Sequence, residues 1–484
     1  MATSYLTRAV SSSGNQKTYT VSAWCKIGTL LTSRTIFSSD VEDDGANYGS
    51  LSIEGDGLIK FINMTSSSLV TNYQSNRKLF DVGSWYHIVL RVDTTQSTAG
   101  DRIRIYVNGD QLTSWAYSTT PNQDTDTGVF KSGNATLIGA RHGSSSQNFW
   151  DGHLAHVHIV EGQSYAPTVF AEADSTTGEW KPILSPSVTY SADNSAFLKF
   201  ENSAALGTDS SGQSNDFTVG GNLKQSVSTP SNLFCTLNAH ESYYTGIATA
   251  LKYAGTGWED GQSTSDGFKG SAGTLACTKG KWYFEVKHIE GMYSTVGISL
   301  ANSKASNEMI NTTYRSPFIQ GNEGDGFGFQ AGTATRNIQR GDNTEVAWND
   351  GSGSNIASVS GNDILMIAYD LDAGKIWWGK NGTWNTVPSS DTATSSSDIA
   401  SGNNAHKTWT ANGEFFRPAV AVYQRTYGSG GANPNTIQCN FGEGRFGTTA
   451  VASGNADSQG NGTFEYAPPT NYLAVCTKNI KDYG

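Results

Sequence analysis

The chain contains no run of about 18 apolar residues, so no membrane-spanning helix is expected. Charge is scarce too. Asp, Glu, Lys and Arg make up 15% of the 484 residues, where an average soluble domain holds roughly 25%. The formal net charge of −11 argues against nucleic acid or an anionic membrane as the main partner. The opening residues, MATSYLTRAVSSSGNQKTYT, have no apolar h-region, so a Sec signal is not expected. Neither a Cys-x-x-Cys pair nor a histidine spacing suited to zinc is present, and there is no Gly-x-Ser-x-Gly elbow. Cys25, Cys235, Cys277, Cys439 and Cys476 are odd in number, widely spaced and set mostly in strand-like contexts. That pattern reads as five buried free thiols in a protein made in a reducing cytosol.

What the chain does have is turn and strand chemistry. Its 54 glycines, with abundant Ser, Thr and Asn, favour short strands and loops over helices. Two unrelated segments repeat one design. WYHIVLRVDTTQSTAGDRIRIYVNGDQL (85–112) and DILMIAYDLDAGKIWWGKNGTW (363–384) each run strand, Asp-bearing turn, strand, Asn-Gly. Asn108-Gly109 and Asn381-Gly382 fit the type I′ hairpin, which needs φ > 0 at both positions. Asp93, Asp370 and Asp372 are expected to shape turns.

Strand follows strand at short spacing with no intervening amphipathic helix, which predicts sandwiches or barrels. The candidate strands are Tyr19–Ile27, Gly49–Ile53, Trp85–Asp93, 103–107, Ala135–Ala140 and Gly152–Val160, then a second series from Leu275–Cys277 to Thr436–Phe441. In Trp85–Asp93, Tyr86, Ile88, Leu90 and Val92 share one face while His87, Arg91 and Asp93 share the other. His87, His156 and His158 read as polar-face residues rather than bases. A length of 484 residues favours two or three domains. The boundaries read as a β domain over 1–185, a packed connector over 186–232, a second β domain over 233–450 and a tail, 451–484, lying on the second. Residues 387–413, rich in Ser, Thr, Asp and Asn, read as a long exposed loop.

Several stretches also carry a family resemblance. YLTRAVSSSGNQKTYTVSAWCKI, WYHIVLRVD and DRIRIYVNGDQL resemble the laminin-G-like (concanavalin A-like) modules of bacteriophage structural proteins. DGHLAHVHIVEGQSYAPTVFAEADSTTGEWKPI is similar to the end of that module, and Leu206–Phe217 to the connector that follows it. GKWYFEVKH, VGIS, DILMIAYDLDAGKIWWGKNGTW and RPAVAV…IQCNFGEGRF resemble a SPRY domain, in that order. The resemblance covers nearly the whole chain. It implies an all-β protein: two tandem concanavalin A-like antiparallel β-sandwiches joined by the connector.

It also implies a virion protein made in the host cytoplasm, with other virion proteins and a host-surface glycan or protein as partners. No shaft repeats or coiled-coil heptads precede the first module, so a short docked appendage fits better than a long fibre. Trimers are what the resemblance implies for such appendages.

Glycan binding is the function these residue types support. Sugars lay apolar C–H faces on aromatic rings and their hydroxyls on polar groups. Aromatics in loop-like contexts are Trp115, Tyr117, Tyr243, Tyr244, Trp258, Tyr314, Tyr423 and Tyr427. Segments 336–348 and 424–431 read as contact loops. Trp24, Trp85, Trp282, Trp377 and Trp378 sit in strands and are assigned to packing. The resemblance also raises calcium, which laminin-G modules often carry at the sandwich rim and which needs converging oxygen ligands. The candidates are Asp40, Glu42, Asp43 and Asp44 in one acidic loop and Asp124 with Asp126 in another; a solvated acidic loop is the competing reading.

An enzyme is not expected. Glucanases of the concanavalin A-like fold use Glu-x-Asp-x-x-Glu, whose carboxylates share one strand face. The near misses Glu42-x-Asp44, Glu54-x-Asp56 and Glu323-x-Asp325 each lack the third carboxylate. Adhesion is therefore the leading expectation. Structural decoration of a capsid or tail, and depolymerisation of a polysaccharide, stand as its alternatives.

Overall fold

The computed structural model describes residues 4–28, 32–41, 44–141, 148–176, 178–239, 251–260, 267–290, 293–301, 319–320, 323–324, 326–332, 337–339, 345–347, 359–387, 390, 392–424 and 435–484. The chain divides into two compact units, residues 1–225 with 229–231, and 226–228 with 232–484.

The first unit is built from short antiparallel strands. They are β1 (Tyr5–Ala9), β2 (Thr18–Ile27), β3 (Arg34–Val41), β4 (Asp44–Ile53), β5 (Leu58–Thr65), β6 (Ser68–Lys78), β7 (Trp85–Asp93) and β8 (Ile103–Val107). Then come β9 (Asp110–Gln111), β10 (Trp115–Thr119), β11 (Ala135–Ile138), β12 (Gly152–Glu161), β13 (Ala171–Ala173), β14 (Trp180–Pro182), β15 (Ala196–Leu198) and β16 (Thr218–Gly220). One sheet has the order β10-β6-β5-β4-β3-β11-β1-β16, the other β15-β12-β2-β7-β8-β9.

Alternation fills the core between the sheets. Phe37, Leu51, Phe61 and Tyr73 stand opposite one another across the first sheet. Ile159, Val21, Leu90 and Ile105 do so across the second, and all eight are buried. The Asn-Gly turn forms as its chemistry requires, with φ of 51° at Asn108 and 87° at Gly109. The Asn108 carboxamide oxygen also accepts the His87 N–H at 2.8 Å, while the Asn108 N–H donates to the His87 carbonyl at 2.8 Å.

The outward face of the second sheet is covered. Phe170, Tyr165, Val169, Val188 and Tyr190 pack on Val89, Tyr106 and Val160. Residues 186–232, expected as a connector, supply β15 against β12 and β16 against β1. Their Asp209 carboxylate accepts four bonds, from the N–H groups of Phe197, Ser211 and Asn215 and from the Ser211 hydroxyl, at 2.8–2.9 Å. The Asp-Ser-Ser-Gly stretch of the connector is thus a tie that closes its own loop.

The second unit has the same kind of architecture on different residues. One sheet orders strands 251–252, 257–260, 435–440, 281–290, 364–370, 375–380 and 383–384. The other orders 267–272, 416–424, 293–300, 326–332, 337–339 and 345–347. Asn381 (φ 49°) and Gly382 (φ 83°) repeat the first unit's turn, and the Asn381 carboxamide accepts the Ile364 N–H at 2.8 Å. The Asp370 carboxylate caps its turn by accepting the Ala373 N–H at 2.9 Å.

One expectation is corrected here. Residues 387–413 are not simply exposed. Ser395 and Asp398 form a capping box that starts a helix at Ser396–Ala400, burying Ile399, and Lys407–Thr408 pairs with Lys375–Lys380. Within the tail, Leu473–Ala474 pairs in parallel with Trp282 and Tyr283, and the helix Thr477–Tyr483 follows.

Candidate functional site

Alternation that sends Phe37, Leu51, Phe61 and Tyr73 into the core sends their neighbours outward. Across β10, β6, β5 and β4 this produces two cross-strand rows. Tyr117, Gln74, Lys60 and Ser52 form one, and Thr119, Asn72, Ile62 and Ser50 the other. Tyr48 and Met64 extend the face by one further pair. The outermost residue, Tyr117, is 58% exposed, whereas Ser50 and Ser52 lie low between larger neighbours. Tyr117, Gln74 and Lys60 make no side-chain hydrogen bond among the described residues. Their hydroxyl, carboxamide and ammonium groups are therefore free for a ligand.

The chain leaving β11 frames the other side. The Gly139 N–H donates to the Ile36 carbonyl at 3.0 Å, and the Ser38 hydroxyl to the Ala140 carbonyl at 3.1 Å. These ties hold Arg141 so that its guanidinium lies 3.9 Å above the Tyr48 ring. The face thus offers one exposed aromatic ring, that of Tyr117, with the cations Lys60 and Arg141 and the carboxamides Gln74 and Asn72. Glu54 stands at its margin, with its carboxylate accepting the Ser33 and Ser52 hydroxyls at 3.0 and 2.7 Å.

Of the aromatics expected to bind, Tyr117 is on this face. Trp115 is two residues away, but a register shift between them turns it to the other side, edge-on to Tyr73 at 4.9 Å. Trp258 is corrected. It is 2% exposed, paired within a strand opposite Ile437 and Leu251, and belongs to the core. Tyr423 is placed by its backbone in the strand Phe416–Gln424. Tyr243, Tyr244, Tyr314 and Tyr427 lie outside the described residues, as does most of the two expected contact loops.

The acidic groups offered for calcium do not assemble among the described residues, where no group of three His, Cys, Asp or Glu is placed to hold a metal. Asp40 is not in a loop; it lies inside β3 opposite Ala135 and is 1% exposed. Asp126 faces Lys17 at 4.0 Å, and Asp124 is exposed at a left-handed turn position. Asp44 pairs by backbone with Val41, while Glu42 and Asp43 lie outside the described residues.

The histidines also differ from their reading as polar-face residues. His87 and His158 do point away from the core, but the covering layer buries them. Trp180 Nε1–H donates to His87 Nδ1 at 3.0 Å, and His87 Nε2 lies 2.8 Å from Ser22 Oγ. An indole nitrogen only donates, so Nδ1 accepts and the ring proton sits on Nε2, donating to Ser22. Burial pushes the His87 pKa down to about 3, with His156 adding to the shift, which keeps this neutral tautomer. A serine that receives a proton from its histidine is not being activated as a nucleophile.

Glu54 and Asp56 are occupied too. Glu54 accepts the two serine hydroxyls, and Asp56 accepts the Leu58 N–H at 3.3 Å in the β4–β5 turn.

The five cysteines are all buried and none forms a disulfide among the described residues. Among the described residues, no helix is long and apolar enough to cross a membrane.

Residues 2–170 match the Laminin_G_3 family model, described as the concanavalin A-like lectin/glucanases superfamily. This part of the chain is therefore a concanavalin A-like domain, and the candidate face lies within it. No curated protein matches the chain. Among solved structures, the SPRY domain of human HERC1 is 14% identical, with 38% of this chain and 87% of that one covered and a TM-score of 0.23. The SAP-like pentraxin from Limulus polyphemus is 14% identical over 40% and 88%, with a TM-score of 0.27. The Ruminococcus gnavus IT-sialidase CBM40 bound to alpha2,3 sialyllactose is 11% identical over 32% and 80%, with a TM-score of 0.25. TM-scores this low carry no functional weight.

Proposed function

We propose that the chain is a non-enzymatic glycan-binding protein and that the face carried by β4, β5, β6 and β10 is its saccharide surface. The observation that carries this reading is the row Tyr117, Gln74, Lys60 and Ser52. It sets an exposed ring beside the unengaged Gln74 carboxamide and Lys60 ammonium on the outside of a concanavalin A-like sheet. A pyranose needs that combination, an apolar platform with hydroxyl partners alongside. The match of residues 2–170 to a superfamily described by lectins and glucanases supports it. The non-enzyme part rests on the occupied carboxylates Glu54 and Asp56 and on the inactive Ser22–His87 pair.

The finer reading is a bacteriophage appendage that attaches the virion to a host-surface glycan. Its support is the ordered set of phage-like and SPRY-like stretches, including the tie around Asp209. In this reading the second sandwich docks on other virion proteins.

Glycan-array binding by the purified chain, followed by titration with Tyr117→Ala, tests the first part. Saturable binding lost in the variant supports it. Presence in virions with no glycan or cell binding favours a purely structural role. Release of reducing sugar from a bound polysaccharide overturns the non-enzyme assignment.

A further inference from the structure

Charge on the candidate face runs against charge on the whole chain. The protein carries 43 acidic and 32 basic residues, yet the two rows from Tyr117 to Ser52 and from Thr119 to Ser50 hold one cation, Lys60, and no carboxylate. Lys60 has no ion pair or hydrogen bond among the described residues. Glu54, the acid at the margin, is engaged by Ser33 and Ser52. Arg141 supplies a second cation over Tyr48, and its buried Nε has no hydrogen-bond partner among the described residues.

An unpaired cation beside unengaged hydroxyl and carboxamide groups fits a ligand that brings its own negative charge. Lys60 lies opposite Ser52, and Tyr48 is four residues along the same strand. At about 3.4 Å per residue, the two cation-bearing positions are roughly 14 Å apart along the sheet. A ligand touching both must be extended and must carry more than one charge.

We infer that the face binds an anionic saccharide chain, with Lys60 and Arg141 each contacting an acidic group and Tyr117, two strands beyond Lys60 on the side away from Arg141, carrying a ring of the chain. This deepens the proposed function and rests on it. The acidic group is a carboxylate or a sulfate, both of which accept charge-assisted hydrogen bonds.

The test is calorimetric titration of the full chain with polygalacturonate, dextran sulfate and neutral dextran, repeated with Lys60→Gln, Arg141→Gln and Tyr117→Ala. Melting temperatures identify any variant that fails to fold, and Lys60→Met serves as a second charge-removing change. The inference predicts that at least one anionic polymer binds more tightly than dextran. It also predicts that binding weakens with salt and falls about tenfold on losing either cation, as when one charge-assisted hydrogen bond is lost. Preference for polygalacturonate identifies a carboxylate, and preference for dextran sulfate identifies a sulfate.

Equal binding of all three polymers, sensitive to Tyr117→Ala but not to Lys60→Gln or Arg141→Gln, overturns the anionic inference and leaves the saccharide face standing. Anionic binding untouched by all three substitutions also overturns it. Binding of none of these polymers, with a neutral glycan found on the array, overturns it as well. Binding of no glycan at all removes the underlying reading too.

Discussion

Tyr117 stands directly opposite Gln74 across the β10–β6 ladder, on the side of the sheet that faces away from Tyr73 and the core. One residue of register separates this arrangement from its opposite. The irregularity between Trp115 and Tyr117 puts the first ring against Tyr73 and the second in solvent. Two aromatics of one short strand thus have different duties, one packing and one available for contact. Replacing Trp115 with Ala should lower stability by about 1–3 kcal/mol, as expected for a half-buried ring. Chemical denaturation measures it, and the same change at Tyr117 should stay within about 0.5 kcal/mol.

The paired turns make a second prediction. Asn108 and Asn381 each hold the opposite strand through a side-chain oxygen and occupy φ near +50°. Asn108→Ala and Asn381→Ala each remove that bond and place a Cβ-bearing residue with no local hydrogen bond in the left-handed region. Each should cost about 1–2 kcal/mol in denaturant unfolding.

The buried histidines determine part of the pH response. His406 repeats the logic of His87. The Trp378 N–H donates to its Nδ1 at 2.9 Å, and its Nε2 lies 3.0 Å from the Asn385 carbonyl. Burial pushes its pKa down to about 3. In the unfolded chain both rings take up a proton near pH 6.5, and in the folded protein they do so only near pH 3. Between those values the unfolded state holds more protons, so stability falls as pH drops. The slope is about 1.4 kcal/mol per pH unit for each ring. Nitrogen-detected NMR should show both as Nε2–H tautomers that do not titrate between pH 7.5 and 4.5. Midpoints near 6.5 would refute the assignment.

Glu285 supplies a fourth. Its buried carboxyl accepts the N–H groups of Tyr466 at 2.8 Å and Glu465 at 3.0 Å, the Tyr283 hydroxyl at 3.0 Å and the Asn440 amide at 3.1 Å. Burial raises its pKa to about 7 against the pull of those donors. Glu285→Gln turns an amide donor toward groups that already donate. It should destabilise the second unit by about 1–3 kcal/mol, read by denaturant unfolding.

The architecture was legible because most core strands follow simple rules. Trp85–Asp93 and Ile364–Asp370 carry strong apolar runs, and Asn-Gly marks where the next strand ends. The candidate face was not legible, apart from Tyr117. Three of its four strands (β5, β6 and β10) were absent from the sequence reading, because Ile62 faces out, Asn63 faces in, and β6 and β10 are rich in Ser, Thr and Asn. Those departures from clean alternation build the polar face. Trp258 misled for the opposite reason. Its neighbours Gly257, Glu259 and Asp260 suggest a loop, but β-pairing with Ile437 draws the ring inward. Burial of His87 and His158 depends on a covering layer some 80 to 100 residues away in sequence from His87, which local periodicity cannot register.

The central claim is that saccharide binds on the sheet face marked by Tyr117. The direct measurement is a calorimetric titration of the full chain with its best array ligand, comparing wild type, Tyr117→Ala and Gln74→Ala. The account predicts saturable binding that weakens about tenfold or more in Tyr117→Ala, with the melting temperature unchanged. Equal affinity in all three proteins would contradict it and move the binding site elsewhere.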